Sequence, residues 1–234
     1  MQKKKRLFSA DPDEQTGFWR FMTILFAEFF DLIKINLLFM AISIAVVTLP
    51  AAVTGMAAVT MNMMEGKNHF LMSEFFEPFR KRFLRCFGIG VIFFAAGICA
   101  VLSILLYTSL GAQMGAGFYF LTAIAVCILI LEQMLAVCAF PLLALTDLTA
   151  GKLLLAAKDI AAGHAARAFG AAAINLSLFT ASALLNPGSI IFTVFIEFSL
   201  MSFIASYLMF PALKPYLEEA EGRNEKADSP ERGN

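Results

Sequence analysis

The sequence predicts an all-α fold, a polytopic transmembrane helix bundle with about six crossings in three hairpins and amphipathic interfacial helices. Three observations carry that prediction. The 234 residues are 59% hydrophobic and only 15% charged, with a mean hydropathy of +0.76, more apolar surface than a water-soluble core can hide. Five stretches hold no charge at all: Ile35 to Met64, Cys86 to Leu131, Gln133 to Thr146, Ala168 to Ile196, and Phe198 to Leu213. Finally, Lys and Arg are confined to the segments that separate particular pairs of these stretches.

The chain opens on Lys3, Lys4, Lys5 and Arg6, but Asp11, Asp13 and Glu14 follow before any apolar run. That order argues for a retained tail, residues 1–17, rather than a cleaved signal peptide. Residues 18–215 form the predicted membrane domain. Its first charge-free block as one helix would be roughly 45 Å long; folded back at Pro50 it gives two short arms of roughly 22 Å. Charge decides between these. One crossing would put Lys67, Arg80, Lys81, Arg82 and Arg85 opposite the basic N-terminus, whereas a hairpin puts them on the same side.

The turn signals Gly111 to Gly117 and Asn186-Pro187-Gly188 divide the remainder into crossings near 87–110, 118–145, 168–185 and 189–213. With six crossings all 18 Lys and Arg fall on one face, which predicts a multi-pass membrane protein with both termini in the cytoplasm. Each hairpin follows a partly basic amphipathic segment: Phe18 to Lys34, Phe70 to Arg85, and Leu148 to Arg167. In the second, Phe75, Phe76, Phe79 and Phe83 suit the headgroup boundary while the cations suit anionic lipid, each worth about 1 kcal/mol. Arg80, Lys81, Arg82, Arg85, Lys152, Lys158 and Arg167 are thus the candidate residues for docking a membrane surface or a partner. Pro141 and Pro211, in the similar runs Phe140-Pro-Leu-Leu143 and Phe210-Pro-Ala-Leu213, mark either stops, the favoured reading, or hinges. The charged segment 216–234 reads as a disordered cytoplasmic tail.

Of the charged residues, only Glu132 and Glu197 interrupt predicted crossings. A carboxyl at bilayer depth is costly and usually faces the bundle interior, on a proton or substrate path or hydrogen-bonded to a neighbouring helix. Asn175, Gln133, Asn62 and Asn36 are plausible partners for them. Ala162, Ala166 and Gly170, and Gly111 with Gly115, suit close helix approach. Cys86, Cys99, Cys127 and Cys138 lie in apolar segments without a C-x-x-C pair and read as small buried side chains. His69 and His164 are isolated, so neither a metal nor another cofactor is expected. A zero net charge, 18 basic against 18 acidic residues, argues against a nucleic-acid partner. No H-E-x-x-H, G-x-S-x-G, P-loop or G-x-G-x-x-G is present, and no enzymatic activity is expected.

Asn36-Leu-Leu-Phe39, Val46 to Ala52, Glu65-Gly66, Phe75 to Lys81, Phe140-Pro-Leu-Leu143, Asp147 and the Lys152 to Arg167 segment occur in an order that resembles the YesL-like family of bacterial membrane proteins. The resemblance spans roughly 18–215, with Leu49 standing where that family usually has glycine. It implies a multi-helix membrane bundle of unknown activity, often encoded beside carbohydrate ABC transporters, and it supplies no catalytic residues. The expectation is a non-enzymatic accessory or regulatory partner of a carbohydrate uptake system, in contact with the lipid bilayer and with transporter or sensor components. The rival is a small-solute or proton-coupled transporter that uses Glu132 and Glu197, and a scaffold without ligand is a third reading. A homo-oligomer is compatible with each.

Overall fold

A computed structural model describes residues 17–66 and 71–228, with side chains through Glu219. The basic start and the rest of residues 1–16, together with residues 67–70, which include Lys67 and His69, and residues 229–234, lie outside the described residues. The elements are helices: α1 (Phe18–Ala27), α2 (Phe29–Ser43), a 3-10 turn (Val46–Thr48), α3 (Leu49–Glu65), α4 (Leu71–Lys81), α5 (Phe83–Met114), α6 (Gly117–Leu145), α7 (Ala150–Gly163), α8 (Ala165–Leu184), α9 (Ile190–Phe192), a π-helical turn (Thr193–Glu197) and α10 (Phe198–Asp228). Among the described residues there is no strand.

Among the described residues five helices are long and apolar enough to cross a membrane: Val46–Glu65, Phe83–Met114, Gly117–Leu145, Ala165–Leu184 and Ile190–Glu219. The chain is a multi-pass membrane protein. The expected first hairpin exists, but α2 has only 15 residues and falls short of a full span, so five clear crossings stand where six were expected. The fold-back occurs at Ile44 to Thr48 rather than at Pro50. Thr48 Oγ1 donates to the carbonyls of Ile42 and Ala45, both at 2.6 Å, and so satisfies the end of α2. Pro50 then enters the first turn of α3, where a missing N–H leaves nothing unpaired.

That second arm is the centre of the bundle. Of its most apolar window 67% is buried, against 22–28% in the other four spans. The composition explains why: Ala51, Ala52, Gly55, Ala57 and Ala58 keep the helix thin enough for others to close around it. A Cβ on Gly55 would collide with the Phe75 carbonyl of α4, and one on Gly90 of α5 would collide with the Pro50 ring. These glycines make the close approaches. Ala162, Ala166 and Gly170 do not, because the chain breaks at His164 between α7 and α8, which leaves both alanines exposed and an added Cβ at Gly170 in open space. Gly111 instead packs against the Tyr119 ring across its own hairpin, and Gly115 takes the positive φ of 120° that the α5–α6 turn requires.

The interior has two apolar clusters. In one, Leu142 and Leu143 of α6 pack with Leu153 of α7 and with Met209 and Leu213 of α10. In the other, Leu32, Ile35 and Phe39 of α2 pack with Met63, Phe75 and Phe203. Outward, α5, α6, α8 and α9 present Ile98, Leu102, Phe120, Ile128, Phe179 and Ile191, the apolar surface that hydrocarbon solvates. Cys86 and Cys138 are buried as expected, but Cys99 and Cys127 are exposed on this outer surface.

The amphipathic segments are shorter than their sequence outlines. The first is broken at the buried Glu28, between α1 and α2; the third ends at Gly163, which transfers Arg167 to α8. Neither proline stops its helix: Pro141 is followed by four more residues of α6, and α10 runs on past Pro211 and Pro215. Residues 216–228, read as part of a disordered tail, continue α10, with Lys214 pairing to Glu218 one turn on at 3.6 Å.

Candidate functional site

The site is built where the last membrane helix departs from α geometry. Between α9 and α10 the ladder widens into the π turn, which displaces backbone carbonyls from their usual donors. Asn36, fully buried on α2, fills that gap. Its Nδ2 donates to the carbonyls of Thr193 at 3.0 Å and Val194 at 2.7 Å, and its Oδ1 accepts the Ser199 N–H at 2.9 Å. One side chain thus replaces backbone hydrogen bonds that no water in a bilayer could supply.

Glu197 closes the π turn and is 1% exposed. Its Oε2 lies 2.7 Å from Ser182 Oγ of α8 and 2.5 Å from Thr193 Oγ1, and the two hydroxyls are 2.9 Å from each other. Ser189 Oγ donates to the Ser182 carbonyl at 2.6 Å, pinning the α8–α9 turn over the cluster. Glu197 Oε1 is buried with no hydrogen-bond partner.

The other residues expected at an intramembrane polar site are placed elsewhere. Glu132 on α6 accepts from its neighbour Gln133 Nε2 at 2.8 Å and faces Gly97 of α5, whose added Cβ would lie 3.7 Å from Glu132 Oε2. Asn175 is buried on α8, about 10 Å along the helix from Ser182, and its Oδ1 has no partner. Glu132 and Glu197 therefore have separate hydrogen-bond partners, and Asn36 reaches the π turn through its backbone rather than through the Glu197 carboxyl. Sequence reasoning missed Ser182, because hydroxyl residues are common in membrane helices and nothing in its spacing marks it, and also Thr193, although its place four residues before Glu197 puts the two on one helix face. It also missed a buried hydroxyl cluster between α3 and α10, where Thr60 Oγ1 lies 2.9 Å from both Ser202 Oγ and Ser206 Oγ.

At the basic end, the candidate docking residues divide into two groups. Arg82 donates to the Ala144 carbonyl at 2.5 Å and pairs with Asp147 at 2.8 Å, and Arg85 donates to the Thr146 carbonyl at 3.3 Å. Both cations thus sit on the C-terminal carbonyls of α6, the negative end of its dipole. Arg80, Lys81, Lys152, Lys158 and Arg167 remain exposed. Lys81 pairs with Glu77 at 2.8 Å, and a cleft of about 270 Å³ opens between Glu77, Lys81, Arg82, Ala144, Leu145 and Asp147. Among the described residues no group of three or more His, Cys, Asp or Glu converges as a metal site would require.

Comparison with known proteins adds a family model, described as "Protein of unknown function, DUF624", that matches residues 32–104. That stretch runs from α2 through most of α5; it includes Asn36 and the central helix α3 but neither Glu132 nor Glu197. No curated protein and no solved structure matches the chain. Residues 32–104 are thus similar to a family of unknown function.

Proposed function

We propose that this multi-pass membrane protein is a non-enzymatic accessory or regulatory subunit that docks a partner at its basic end, working beside carbohydrate uptake in a bacterial cytoplasmic membrane. The observation that carries the docking part is the rigid charged end itself. Arg82 and Arg85 clamp the start of α5 to the end of α6, and the open cleft beside them is lined by the exposed Glu77 and Lys81 of α4. A preorganised polar cleft on a helical scaffold suits a protein partner or an anionic headgroup. The carbohydrate part rests on the resemblance to the YesL-like family, and the cytoplasmic placement of both termini on the segregation of Lys and Arg.

The test is affinity purification in mild detergent from the native host grown on several sugars, followed by mass spectrometry. A stoichiometric carbohydrate permease, binding protein or sensor kinase that is lost on Lys81→Glu supports the reading. Recovery of this chain alone under every condition overturns it.

A second reading, a proton-coupled or small-solute transporter, is favoured by the burial of Glu197 within a broken helix, a feature that recurs at transporter sites. It predicts flux into proteoliposomes that falls on Glu197→Gln or Glu132→Gln. Absence of flux with proton and sugar gradients removes it.

A further inference from the structure

We infer that Glu197 is a proton-binding site: an uncharged carboxylic acid that completes a closed ring with Ser182 and Thr193. The argument is a proton count. Three oxygens, Glu197 Oε2, Ser182 Oγ and Thr193 Oγ1, approach one another pairwise at 2.7, 2.5 and 2.9 Å. Three such contacts require three protons, and each hydroxyl has one to give. An ionised Glu197 is acceptor-only, so the ring would hold two protons and leave one edge as a repulsive contact between lone pairs. A proton on Oε2 completes it: Glu197 donates to Thr193 Oγ1, Thr193 donates to Ser182 Oγ, and Ser182 donates back to Glu197 Oε2. Every contact is then filled once.

The surroundings point the same way. The π turn packs against α2 and α8 besides its own flanking helices. On α2 the charged groups are Asp31 and Lys34, paired with each other at 2.9 Å, with Lys34 exposed and Asn36 buried on the other side of the helix. On α8 the one charge is Arg167, exposed and about 22 Å along the helix from Ser182. Beyond Glu197 the next charge on α10 is Lys214, about 25 Å away along the axis. Among the described residues of these elements, then, no cation is placed to neutralise a carboxylate. Glu197 Oε1, buried and without a partner, is tolerable as the carbonyl oxygen of a neutral acid and costly as half of an anion. Asn36 holds the π turn in the shape that brings Thr193 and Glu197 onto one oxygen ring.

The inference rests on neither functional reading above, since a stored proton serves structure, coupling or signalling alike. Infrared spectroscopy of the full chain in proteoliposomes at neutral pH tests it. The wild-type minus Glu197→Gln difference is expected to show loss of one protonated-carboxyl C=O band that moves down in D2O. Carboxylate stretching bands in that difference overturn the inference. If Glu197→Gln fails to assemble, Thr193→Val keeps the carboxyl and removes its acceptor: a displaced protonated-carboxyl band supports the ring, and an unchanged carboxyl region overturns it.

Discussion

Asn36 bears more on the local geometry than either glutamate singled out by its charge. It contributes three hydrogen bonds to backbone groups of the last membrane helix, from a helix about 160 residues earlier in the chain. Asn36→Leu should therefore strand buried carbonyls and lower stability by about 1–3 kcal/mol, read as a reduced melting temperature in detergent. If Asn36→Leu melts like the wild type, the π turn does not depend on that side chain. A paired test addresses the close contacts on α5. Gly90→Ala meets the Pro50 ring and should destabilise by about 1–3 kcal/mol. Gly88→Ala, two residues away with nothing near its added Cβ, should be neutral or slightly stabilising, by up to about 1 kcal/mol.

At the scale of elements, α4 joins the surface to the bundle. Phe75, Phe79, Phe83 and Phe87 stack at four-residue spacing across the α4–α5 junction, with ring centroids 6.0, 6.4 and 6.1 Å apart. Arg82 sits at that junction and binds the end of α6, its side chain only 14% exposed. Arg82→Ala should loosen the junction by about 1–3 kcal/mol, seen as faster amide exchange in α4, while Arg80→Ala, at an exposed position, leaves exchange unchanged. Equal effects of the two would contradict the clamp. The first helix is the other surface element: α1 exposes Phe18, Phe26 and Trp19, the last 83% exposed and the chain's single Trp. Its fluorescence should be quenched more strongly by lipids brominated near the headgroup than by lipids brominated at the chain ends. The reverse order would place Trp19 in the hydrocarbon interior and contradict an interfacial α1.

For the whole molecule, the contacts of Arg82 and Arg85 with residues 144–147 hold two of the basic segments at one end, and Tyr207, which donates to the Gly17 carbonyl at 2.9 Å, brings the start of α1 alongside α10. The uncharged turns at 115 and 186–188 close hairpins that point the other way. In a chain with its four cysteines replaced by serine, Thr149→Cys and Ala116→Cys should react with an impermeant maleimide from opposite sides of the membrane. Labelling of both from one side would refute the arrangement of α6 as a crossing.

The apolar composition, the charge-free stretches and the turn signals by themselves determined the class and most helix limits, because in hydrocarbon every backbone group must be satisfied within its own segment and local pattern is then sufficient. Charge segregation likewise made the first hairpin legible before any coordinate. Tertiary structure alone decided which helix is central, since Gly55 and Gly90 matter only through the particular atoms brought against them. It decided that Pro141 and Pro211 end neither helix, since α6 and α10 run on past them. It also decided the polar site: Glu197 is visible as a charge in an apolar run and Thr193 lies four residues before it on the same helix face, but Asn36 and Ser182 become its setting only by folding, as sequence spacing says nothing about contacts between different helices.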